Sequence, residues 1–148
     1  MTSAKRTAAI VTIGTELVTG QRLDTNGAEI ASALLGSRFD VVEMLSVADS
    51  VDRLAGHLAR LTAECAVVVV TGGLGPTHDD ITREAASRAL GRALIRDPEI
   101  ERALADIVSR HREGQAAAQI LTQADVLEGA SVIAPTTGTA PGQIVPTP

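Results

Sequence analysis

Three features of the chain predict an α/β fold whose parallel or mostly parallel sheet is covered by helices. Strand-like and helix-like segments alternate, the order that βαβ units require. The apolar run Cys65 to Val70 ends in four valines, as a strand buried on both faces should. Glycine-rich turns follow the strand signals, at the edge where open α/β sheets bind ligands.

The elements read in order as follows. "AAIVTIG", Ala8 to Gly14, is a buried strand ending in a glycine turn. "DTNGAEIASALLG" is a helix with Asn26 as cap, Glu29 completing a capping box and Gly36 at its end. Its residues Ile30, Ala31, Leu34 and Leu35 share one face. "FDVVEMLSV" is the second strand, after which Asp49 or Ser50 caps a helix with Val51, Leu54, Leu58 and Leu61 at helical spacing. "CAVVVVTGG" is the third strand, expected at the centre of the sheet. A helix then runs from about Asp80 to Leu90 before Gly91, and another starts at Asp97-Pro98 and turns Ile100, Leu104, Ile107, Val108 and His111 inward. Past Gln115 come a short apolar helix, a strand near "SVIA" and the stretch "PTTGTAPGQIV". Residues 1–7 read as a flexible leader and 8–148 as one domain.

Composition narrows the function. With 148 residues and 45% hydrophobic content, one compact domain with a real core is expected. A net charge of -5 and a single aromatic, Phe39, argue against nucleic acid, which needs clustered cations and stacking platforms. Lys5 is the only lysine, so a phosphate-binding P-loop lysine and Schiff-base chemistry are excluded within the domain, leaving cationic work to arginine or a metal. Cys65 is the single cysteine; it offers neither an intramolecular disulfide nor zinc-finger spacing and reads as a small hydrophobe. No apolar run approaches the ~20 residues a bilayer needs, and Glu16 interrupts the one signal-like stretch. A cytoplasmic protein is expected.

Three loops carry the chemistry. The first, Gly14 to Asn26, combines the flexible backbone of Gly14 and Gly20 with the polar Thr15, Glu16, Asp24, Thr25 and Asn26. Glu16 has no obvious capping job and is a candidate for binding. The second, "TGGLGPTHDD", holds Gly72, Gly73 and Gly75 with Thr71, Pro76 and Thr77, more than a turn needs and suited to cradling a phosphate. Asp79 and Asp80 follow at once and would repel that phosphate by several kcal/mol at ~4 Å and an effective dielectric of about 20. Magnesium, which favours one or two carboxylates plus substrate phosphates and water, turns this repulsion into bridging. Asp80 is the residue expected to hold or orient the metal, with Asp79 as a cap. Asp49 could join it or simply cap a helix, and His78 could serve as general acid or base or be an ordinary loop residue. The third loop, Thr136 to Gly142, adds Gly138 and Thr139. No G-x-S-x-G, HExxH or G-x-G-x-x-G pattern and no Cys/His nucleophile pairing occurs.

In this order, "IGTELVTGQRLDTN", "TGGLGPTHDDITREA" and "GTAPG" closely resemble the molybdopterin-binding (MoaB/Mog-like) domain family, in the form found at the amino terminus of competence/damage-inducible CinA proteins. The resemblance covers about Ala8 to Val145 and is carried most specifically by GGLGPT-x-DD-x-T-x-E. It implies a three-layer αβα fold and a pocket for a phosphate-bearing molybdopterin or adenine nucleotide. It further implies magnesium-assisted phosphoanhydride chemistry, either adenylylation of molybdopterin or cleavage of ADP-ribose, and self-association as a homo-oligomer. Carried onto this sequence, the catalytic and metal-holding residues are Asp80 and Asp49. The ligand-binding residues are Gly14, Thr15, Glu16 and Asp24, then Thr71, Gly72, Gly73, Gly75, Pro76 and Thr77, with Gly138 and Thr139. The chain departs from the pattern at Ile120, where relatives usually have Asn before the pair Gln123-Ala124. It also stops at Pro148, short of the family's next strand and of any amidohydrolase domain, which implies a shorter site wall and no nicotinamide-mononucleotide deamidation. A module that binds the pterin or nucleotide without turnover is the alternative.

Overall fold

A computed structural model describes residues 6–77, 80–111 and 115–147. The chain divides into two compact units, Met1–Gly73 and Leu74–Pro148, considered in turn.

The first unit is a parallel sheet with its crossover helices. Its elements are β1 (Arg6–Ile13), α1 (Thr15–Val18), α2 (Thr25–Gly36), β2 (Phe39–Val47), α3 (Val51–Glu64) and β3 (Val67–Thr71). The three strands lie in the order β2-β1-β3, all parallel. The middle strand is therefore β1, and its residues Ala8 to Val11 are fully buried. The four valines of β3 are half-buried, which corrects the expectation of a central third strand. β-branching makes a good strand, but position in the sheet follows the order of pairing. Leu54, Leu58 and Leu61 of α3 are buried at the helical spacing that the sequence shows. A register shift between Ala8 and Ala9 leaves Val42 of β2 outside the Cα pairing and 55% exposed. In α2, Ile30, Ala31 and Leu34 are half-buried while Leu35 is exposed, so the apolar face is narrower than expected.

The second unit comprises α4 (Thr82–Leu90), β4 (Leu94–Arg96), α5 (Pro98–His111), α6 (Gln115–Leu121), β5 (Asp125–Leu127), β6 (Ser131–Ile133) and β7 (Gly142–Ile144). Gly91 ends α4 in the left-handed conformation, φ 62°, which glycine adopts without strain. Asp97 starts α5 by accepting from the N–H groups of Glu99 and Ile100 at 2.9 and 3.1 Å. Leu104, Ile120 and Ala124 form its core with Ile100 and Val108 against them, whereas Ile107 is exposed. The His111 side chain lies outside the described residues. Strands β4 with β5 and β6 with β7 form antiparallel pairs. At three residues each, β4, β5 and β7 are too short to show a period.

Candidate functional site

A concavity lies in the first unit, at the carboxyl ends of β1 and β3, where Thr12 pairs with Thr71. The chain leaves β3 through Gly72 at φ 99°, where a Cβ would stand 2.5 Å from the Ile13 carbonyl oxygen; only glycine permits that approach. It leaves β1 through Gly14, whose N–H donates to Val47 O at 3.0 Å. The Glu16 carboxylate folds back over Gly14, so a Cβ there would lie 2.8 Å from both Oε1 and Oε2. The N–H groups of Gln21 and Arg22 then donate to Glu16 O at 2.9 and 3.1 Å, bringing the segment back over α1. Between these turns is a cavity of about 220 Å³, lined by Thr12, Glu16, Arg22, Asp24, Thr71 and Gly72, with Leu17 and Leu23 among the apolar residues.

Two acids of this unit have local partners that differ from those expected. Asp24, not Asn26, caps α2: its Oδ1 accepts from Gly27 N at 2.8 Å. Asn26 already lies inside the helix. Nor does Asp49 cap α3. Its Oδ2 accepts from Thr15 N at 3.1 Å and Thr15 Oγ1 at 2.6 Å, while Ser50 occupies the cap position without a side-chain bond. Asp49 thus ties the end of β2 to the first residue of α1.

In the second unit Asp80 turns into its own glycine-containing loop. Asp80 Oδ2 accepts from Thr77 N and from Thr77 Oγ1, each at 2.6 Å, and a Cβ on Gly75 would sit 2.6 Å from the same oxygen. Burial alone pushes the Asp80 carboxyl up. The Thr77 hydroxyl, the Thr77 and Gly75 N–H groups and the charge of Arg83 outweigh it and hold the group below its ordinary value. Arg83, 8% exposed, donates to Leu74 O at 2.8 Å and Gly75 O at 3.2 Å. Burial lowers its pKa, against the neighbouring charges of Asp80 and Asp125. Pro76 is half-buried within this loop. Gly138, at φ 74°, is exposed between β6 and β7, and Thr139 beside it is half-buried. Ile120 is part of the apolar core, while the buried Gln123 Oε1 has no hydrogen-bond partner among the described residues. His78 and Asp79 lie outside the described residues.

The structure thus places Glu16, Asp24, Thr71 and Gly72 around one cavity. Arg22 and Arg83 were not singled out from sequence. A lone cation in an otherwise acidic loop was the available signal for Arg22; nothing in the local pattern marks Arg83 as buried. Among the described residues no group of three or more His, Cys, Asp or Glu could hold a metal ion. These residues suit only a magnesium ion held largely by phosphate oxygens and water.

A cavity at the carboxyl ends of parallel strands marks an α/β domain of the kind that binds small molecules at its strand ends. More narrowly, the chain belongs to the family described as "Probable molybdopterin binding domain", whose model matches residues 9–147. It is 36% identical over 138 residues to a CinA-like protein of Thermotoga neapolitana, covering 93% of this chain and 34% of that protein. It is 40% identical over 140 residues to a CinA-like protein of Chlorobium luteolum, covering 94% and 32%. The chain therefore spans about a third of the length of these curated relatives. Among solved structures, CinA of Thermoplasma acidophilum, a protein of unknown function, superposes with a TM-score of 0.85 at 27% identity, covering 95% of this chain and 82% of that one. The tungsten cofactor synthesizing protein MoaB of Pyrococcus furiosus matches at a TM-score of 0.56 and 22% identity, covering 90% and 77%, which shows the shared fold. The chain is thus a mixed α/β protein of the MoaB/Mog fold with a parallel sheet. No helix among the described residues is long and apolar enough to cross a membrane.

Proposed function

We propose that this chain binds a phosphate-bearing pterin or adenine nucleotide in the first unit's cavity and, with magnesium, acts on the ligand's phosphoanhydride. The cavity carries the reading: it sits at the carboxyl edge of a parallel sheet and combines Arg22, two carboxylates and three threonines. The family description favours molybdopterin. Thr71 offers a hydroxyl and Gly72 brings main chain to the cavity wall, while the Thr12 hydroxyl is bonded to Leu45 O and Ser46 Oγ. Asp49, by holding Thr15, fixes the start of α1 and with it Glu16. Its Oδ1 stays outside those bonds. Within the second unit, Asp80, held below its ordinary value by its own loop, is proposed separately as a carboxylate for catalysis and metal holding. Magnesium, when bound, would neutralise phosphate charge and polarise the bond to be broken. Self-association and a cytoplasmic location complete this reading.

A second reading, binding without turnover, is favoured by one observation. Asp49 and Asp80 are each engaged by a threonine hydroxyl and main-chain N–H, the arrangement of a carboxylate holding structure. Purified protein with magnesium is to be given ADP-ribose and, separately, ATP with molybdopterin. Release of AMP or formation of adenylylated molybdopterin supports the first reading. Saturable binding without product establishes the second. Failure to bind any of these ligands overturns both.

A further inference from the structure

Arg22 lies in the return segment after α1, its backbone N–H held on Glu16 O at 3.1 Å. It is the only lysine or arginine among the residues lining the cavity, which Glu16 and Asp24 line as well. Its guanidinium is exposed and makes no hydrogen bond or ion pair with a described residue. Asp24 spends Oδ1 on the cap of α2, and the Glu16 carboxylate is packed over Gly14, so neither acid neutralises the arginine.

An arginine whose side-chain donors meet no described residue, at the wall of a cavity whose other charged residues are acidic, is matched by an anion that can take two of those donors at once. The carboxylates decide where that anion sits. Like charges close together are unfavourable in a partly enclosed site, so a phosphate is admitted at Arg22 and kept from Glu16 and Asp24. Those two acids, which only accept hydrogen bonds when ionised, are left for N–H or O–H donors elsewhere on the ligand.

We propose that Arg22 is the phosphate anchor of this cavity, so that the first unit holds a phosphomonoester or phosphoanhydride ligand without a metal ion. The inference rests on the cavity being the ligand site and deepens that reading by separating binding from turnover. Metal removal abolishes any phosphoanhydride chemistry and leaves the ligand bound.

The test is titration calorimetry with ADP-ribose and AMP, in magnesium and again in excess EDTA, on the native protein, Arg22→Ala and Arg22→Lys. Native protein is expected to bind in EDTA within a few-fold of its affinity in magnesium. Arg22→Ala should weaken binding about 10- to 100-fold, the range for a charge-assisted hydrogen-bonded contact, with Arg22→Lys in between because it cannot bond in a bidentate manner. The salt dependence of binding should flatten in Arg22→Ala. Arg22 is exposed, and an unchanged ligand-free melting temperature would show that the loss is not unfolding. Binding that requires magnesium, or an Arg22→Ala protein that binds like the native one, overturns the anchor and leaves the cavity reading standing. No binding by the native protein under either condition overturns that reading as well.

Discussion

Thr77 and Asp80 close the glycine loop from within, because the N–H and the Oγ1 of Thr77 both donate to Asp80 Oδ2 at 2.6 Å. A carboxylate beside three glycines looks misplaced in sequence, where the main-chain donors seem reserved for a phosphate. In the fold an anion already meets the N–H groups of Gly75 and Thr77, and it is the protein's own.

That arrangement makes stability depend on pH in a definite sense. The folded Asp80 carboxyl lies below its ordinary value of 3.8. A carboxyl with a depressed folded pKa adds stability that is complete above its unfolded value and is lost as pH falls through the folded one. Asp80→Asn should therefore melt below the native protein near neutral pH, by a margin that is flat down to about pH 5 and shrinks below about pH 4. Melting curves across that range check it. A margin that stays constant at the acid end would mean that the charge of Asp80 contributes nothing to the loop.

Asp49 and Thr15 act as one unit across 34 positions of sequence. Both are exposed, so water moderates the worth of their bonds. Asp49→Ala and Thr15→Val should each destabilise the protein, and the double variant by less than their sum, with a coupling of about 1 kcal/mol. Urea unfolding of the four proteins measures it. Additivity to within about 0.3 kcal/mol would show that the pair is independent.

What could be read in advance was what local physics decides. The period of Leu54, Leu58 and Leu61, the cap at Asp97 and the stop at Gly91 are each set by neighbours in the chain. Glu16, Asp24, Thr71 and Gly72 could be placed at one sheet edge because they lie at or beyond the carboxyl ends of strands. Long-range choices were not legible. Asp49 prefers a threonine far upstream to the helix beside it. Arg83 is buried by its bonds to Leu74 and Gly75 rather than by any apolar pattern. Asp24 displaces Asn26 as cap because α2 starts one residue earlier than Asn26, a difference smaller than propensity can resolve.

Gly72 and Gly138, two of the positive-φ glycines, separate a shaped contact from a permissive turn. Gly72, at φ 99°, has the Ile13 carbonyl 2.5 Å from where a Cβ would be, whereas Gly138, at φ 74°, has nothing within 4 Å. Alanine at Gly138 meets only the backbone penalty of the left-handed region, about 1 kcal/mol. At Gly72 it meets backbone strain and a collision with main chain that cannot rotate away, roughly 2–4 kcal/mol together. Because Thr71 and Gly72 line the cavity, relief of that collision must move the wall where ligand would sit. Gly72→Ala is thus expected to lose both unfolding free energy in urea and ADP-ribose affinity, while Gly138→Ala loses only a little of the first. Equal losses at the two glycines would show that the close approach of β3's exit to Ile13 is not what shapes this edge of the sheet.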